Sequence, residues 1–174
     1  LTEGKHCDVC GEPDITECAD GNSNHIRCHF MHGSGLNMRK ISLIIVHCSG
    51  VTPEQCSSAS QIDKWHREQG WDGMGYHYLV RRDGSVERGR PESRAGAHCK
   101  GHNRHSIGVC YEGGLDSKGR AADTRTALQK ESLLLLMLDL KTRYPTAIIL
   151  GHHQLDKYKA CPCFDAAREY GMSD

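Results

Sequence analysis

The chain has 174 residues, enough for one ordinary domain with a real apolar core and a small appendage. Lys plus Arg and Asp plus Glu both number 22, and the two signs are well mixed, so there is no basic field to draw nucleic acid as the main partner. The longest apolar run, Leu133–Leu138, is far too short to cross a bilayer, which excludes a membrane-spanning role for it.

Ten cysteines and twelve histidines are the unusual feature of the composition. The opening residues, Leu1–Cys10, lack the basic-then-apolar order of a secretory signal, so the expectation is synthesis in the cytoplasm. In that compartment cysteines serve as thiols or metal ligands more often than as disulfides. Residues 1–37 concentrate Cys7, Cys10, Cys18 and Cys28 with His6, His25, His29 and His32, and show almost no apolar periodicity. Cys7, Cys10, Cys28 and His32 follow a C-x2-C-x17-C-x3-H pattern, compatible with a small structural zinc knob. The rival reading is a disordered leader ahead of a natural start at Met38.

From residue 38 to 174 strands and helices alternate. Ile41–His47 reads as a buried strand rich in β-branched residues. Ser58–Gly70 reads as a helix with Ser60 and Asp63 as an approximate capping box and Gly70 at its stop. Tyr76–Arg82 and Ser85–Gly89 read as two strands joined at Asp83-Gly84. His105–Gly114 is a further strand, Thr124–Tyr144 the longest helix, stopped by Pro145, and Ala147–His153 another buried strand. A short helix over Cys163–Gly171 closes the chain. This order predicts an α/β fold, a single mixed β-sheet flanked by helices.

Two of these strands end alike. "LIIVHCS" delivers His47 and "AIILGHH" delivers His152, each at a strand's carboxyl end, where α/β proteins usually place ligands. Cys161 follows nine residues after His152, close enough for a short loop to return it. Adjacent strands would set two imidazoles and a thiolate together, leaving a fourth tetrahedral position for water, the arrangement of a catalytic zinc.

The stretches "IIVHCS", "WHREQGWDGMGYHYLVRRDGSVERGR", "GAHCKGHNRHSIGVCYEGG" and "KACPCFD" occur in that order. From Met38 onward the chain resembles the zinc N-acetylmuramoyl-L-alanine amidases of the T-odd phage lysozyme and peptidoglycan-recognition-protein group, the phage and prophage endolysins above all. The resemblance implies one catalytic zinc on His47, His152 and Cys161, with Tyr76 and Lys159 as catalytic residues. It points to His98 and Asn103 as substrate contacts. It implies bacterial peptidoglycan as substrate, cut between the muramic acid lactyl carbonyl and L-alanine. It further implies a monomer that acts on the cell wall after release, without nucleic acid or membrane partners. Two departures matter: the loop from His152 to Cys161 looks one residue longer than in near relatives, so Lys157 competes with Lys159. Cys163 also stands where a small residue is usual.

Other readings remain at this level. Members of the fold that lack the ligand cysteine bind peptidoglycan without cutting it, and here Cys161 is present. A Cys–His nucleophilic hydrolase using Cys48 or Cys99 is the rival chemistry, but it leaves the paired strand-end histidines unexplained.

Overall fold

The computed structural model describes residues 39–171. The candidate ligands Cys7, Cys10, Cys28 and His32, and the proposed boundary at Met38, lie outside the described residues. Five strands form one sheet: β1 (Leu43–Cys48), β2 (Tyr78–Val80), β3 (Val86–Arg88), β4 (Ser106–Tyr111) and β5 (Ile148–Gly151). Their spatial order is β3-β2-β4-β1-β5; only the β2–β3 hairpin is antiparallel, so the sheet is mixed as expected. Helices α1 (Ala59–Glu68), α2 (Ala127–Arg143) and α3 (Ala166–Tyr170) complete the fold.

Strand β1 is central, and Ile44, Ile45 and Val46 are fully buried, which is why its sequence is a continuous apolar run rather than an alternating one. Strand β4 separates the two faces of the sheet most clearly. Ile107, Val109 and Tyr111 enter the large core, where Leu133, Leu136, Met137 and Leu140 of α2 meet them. Each fully buried aliphatic side chain there contributes about 1.5–3 kcal/mol. The alternate residues Ser106, Gly108 and Cys110 face the other way; Cys110 joins a smaller core with Ile62 of α1, Met74 and Leu79.

The helix starts differ from the sequence reading in detail. Ser58, not Ser60, caps α1: it holds the extended backbone a cap needs, and its hydroxyl accepts from Gln61 N. Asp63 instead accepts from Met74 N at 2.7 Å and pairs with Arg67. Thr126 and Gln129 form a reciprocal capping box on α2, and the Gln129 amide also donates to Val80 O and Glu112 O, fastening the helix to the sheet. The two strands of the hairpin are only three residues each, and Gly84 (φ 84°) makes the turn that a side chain would strain. Arg125 is buried between Asp123 and Glu169, lies 3.2 Å from the Phe164 ring centroid, and so anchors α3. Among the described residues no helix is long and apolar enough to cross a membrane.

Candidate metal centre

Strands β1 and β5 run parallel with Val46 opposite Gly151, so the next residue of each, His47 and His152, leaves the sheet at the same level. Their rings lie 4.6 Å apart, centroid to centroid. The chain then turns back: His153 N donates to Cys161 O at 2.7 Å, and Tyr111 Oη donates to Pro162 O at 2.8 Å. Cys161 is thereby held beside β1, with its sulfur accepting from Cys48 N at 3.2 Å and lying 3.7 Å from His47 Nδ1. Ligand atoms of His47, His152 and Cys161 all lie within 4.8 Å of one another. A tetrahedral zinc with typical Zn–N and Zn–S bonds has an N···S edge of about 3.6 Å, so the observed separation fits that ion. His47 forms the buried floor; His152 and Cys161 are half-buried, which leaves the centre reachable from one side.

Electrostatics favour ligation. Burial holds His47 well below the ordinary imidazole pKa, and His98 and His152 beside it add to the depression. Partial burial also lowers His152, with Asp156 opposing and Lys159 reinforcing the shift. The surroundings thus favour the neutral form of both imidazoles, which carries the lone pair a metal requires.

Tyr76 lies just before β2, outside the strand in which the sequence put it, with its ring 5.1 Å from His47. Burial, then the thiols of Cys110, Cys161 and Cys48, push its pKa well above the usual phenol value, so it keeps its proton and can donate. Lys159 is exposed yet close enough to act on His152, whereas the Lys157 ammonium sits 5.3 Å from the ring of Tyr158.

The two residues expected to touch substrate are arranged otherwise. His98 is only 9% exposed; its Nδ1 is 3.0 Å from His47 Nε2 and its Nε2 is 3.3 Å from Ser106 Oγ. Asn103 Oδ1 accepts from His98 N and Cys99 N, both at 2.9 Å, so it shapes the loop that carries His98. Both imidazole nitrogens of His98 and the Oδ1 of Asn103 thus have partners within the protein. Sequence reasoning missed the His47–His98 pairing, because the glycines that make room for the ring, Gly96 and Gly108, meet it only once the strands are in register.

An α/β sheet that gathers a metal-capable donor set at its strand ends, open on one side, has the layout of a hydrolytic enzyme. The family model described as N-acetylmuramoyl-L-alanine amidase matches residues 37–164, and the chain belongs to that family. It is a cell-wall amidase. The endolysin of Escherichia phage T7 is 46% identical over 125 residues, covering 72% of this chain and 82% of that one. The endolysin of Enterobacteria phage T3 is 45% identical over the same shares. Among solved structures, the N-acetylmuramoyl-L-alanine amidase LysC from Clostridium intestinale is similar with a TM-score of 0.63 and 29% identity, over 75% of this chain and 82% of that one.

Proposed function

We propose that His47, His152 and Cys161 hold one zinc ion, and that the enzyme hydrolyses the amide joining N-acetylmuramic acid to L-alanine in bacterial peptidoglycan. The observation that carries this reading is the mutual approach of two imidazoles and a thiol at the ends of adjacent strands. Zinc bound there would polarise the scissile carbonyl and lower the pKa of a bound water. The protein's own groups do the rest. The Cys48 N–H fixes the sulfur of Cys161, and the charge-neutral histidines keep the centre net positive beside a developing oxyanion. Lys159 is the mobile cation that meets that oxyanion, and Tyr76, protonated, donates a hydrogen bond to it or passes a proton to the departing amine. Like the phage endolysins it is similar to, the protein would reach its substrate after release to the wall.

The test is product analysis on purified peptidoglycan sacculi. The expected products are free stem peptides with an amino-terminal alanine and glycan strands retaining intact lactyl groups. New reducing sugar ends, or tight binding to sacculi without peptide release, would contradict the proposal.

A further inference from the structure

Strand β4 carries a glycine, Gly108, in its interior, where the absence of a side chain ordinarily costs stability. Its backbone does not need glycine's freedom; what needs glycine is the neighbour. A methyl group on Gly108 would lie 2.5 Å from His98 Cδ2, and one on Gly96 would lie 2.4 Å from the same atom. The His98 imidazole is thus seated between two positions that only glycine can fill. From there it reaches His47 on one side and Ser106 on the other.

We infer that His98 is a positioning residue for the metal centre, fixing the tautomer and orientation of His47 through a His47–His98–Ser106 hydrogen-bond chain. The inference rests on the zinc reading above, because it takes His47 Nδ1, the nitrogen nearest Cys161, as the metal-facing atom. With Nδ1 committed to a metal, the proton of neutral His47 resides on Nε2 and donates to His98 Nδ1, 3.0 Å away. His98 then carries its own proton on Nε2, which donates to Ser106 Oγ. Each ring nitrogen of both histidines has one role and one partner, with no donor facing a donor. Outer partners of this kind orient a metal-binding imidazole and raise its basicity, and their loss typically weakens metal binding by 10–100-fold. Here the outer partner is a second imidazole. Asn103 completes the support by accepting both backbone N–H groups at the start of the His98 loop. The Arg39 guanidinium donates to Asn103 O at 3.1 Å and Ser106 O at 2.6 Å, tying that loop to β4.

The experiment measures zinc affinity of the full chain by competition with a chromophoric chelator, and imidazole tautomers by long-range proton–nitrogen NMR of the zinc-loaded protein. In the native protein His47 and His98 should both appear as Nε2–H tautomers. His98→Phe keeps a ring between the glycines but removes the acceptor, and should weaken zinc binding by about 10–100-fold. His98→Asn restores an acceptor near the Nδ1 position and should recover part of that loss. Ser106→Ala guards against a folding defect in the larger changes; it should weaken zinc by a smaller factor, at unchanged melting of the zinc-free chain. Equal zinc affinity in native and His98→Phe proteins, or an Nδ1–H tautomer of His98, would overturn the inference while leaving the zinc reading intact. A native protein that binds no zinc at this centre would overturn both.

Discussion

The two faces of the sheet use the same strands for opposite ends. On one face Ile44, Val46, Ile107, Val109 and Tyr111 meet α2 in a dry core whose partners are apolar. One residue along, the other face bears His47, Ser106, Gly108 and Cys110, with small side chains that leave room for an imidazole above them. The first face supplies rigidity through buried area, and the second converts that rigidity into placed donor atoms. Chemistry here depends on what the strands leave empty as much as on what they carry.

Damage to the two faces should separate cleanly. The largest effect belongs to the site face: Cys161→Ser should abolish wall hydrolysis while the protein stays folded, since one of three protein donors is lost. Turbidity loss of a sacculus suspension, with circular dichroism as the folding control, measures it. On the core face, Leu136→Ala empties a fully buried position and should lower unfolding free energy by about 2–5 kcal/mol in urea titration, without changing zinc affinity. A comparable loss of zinc affinity would show that the faces are not independent.

A pH titration sharpens the contrast at His77, a buried histidine near the site. Its Nδ1 accepts from Gly108 N at 2.9 Å, and burial above all lowers its pKa to about 4. The unfolded chain binds this proton more readily, so His77 contributes stability that is complete above about pH 6.5 and is lost as pH falls toward about 4, a change on the order of 3 kcal/mol. His77→Asn, which retains an acceptor, should flatten the pH dependence of unfolding in that window. An unchanged slope would mean that other groups carry the acid sensitivity.

The smallest of these changes concern turnover at constant metal content. Tyr76→Phe and Lys159→Ala should each keep zinc yet lose on the order of a hundredfold in rate, equivalent to about 2.7 kcal/mol of transition-state stabilisation. Lys157→Ala, whose ammonium lies near the Tyr158 ring, should be nearly silent in the same assay. A dead Lys157 variant beside an active Lys159 variant would transfer the role to the earlier lysine.

The strand-end histidines were legible because two apolar runs end alike on His, and parallel pairing of β1 with β5 then brings His47 and His152 together. The long helix was legible from its leucines, although its cap, Thr126, lies two residues beyond the expected start at Thr124. Thr124 accepts from Gly114 N instead, a contact that no local pattern announces. The direction of His98 was not legible either. A "GAH" loop reads equally well with its imidazole toward solvent or toward the sheet. Only the register that sets Gly108 beneath the ring decides between them. Cys163, beside Cys48 at a sulfur–sulfur distance of 4.0 Å, was noticed as a departure, but its proximity to Cys48 depends on the return of the Cys161 loop.

On the proposed reading His47, His152 and Cys161 form one zinc centre. Elemental analysis of the purified full chain and of His152→Ala, read beside circular dichroism, tests it most directly. The variant should stay folded, hold one equivalent of zinc fewer than the native protein and no longer hydrolyse peptidoglycan. Equal zinc content in the two proteins, or full hydrolysis by a native protein free of metal, would contradict it.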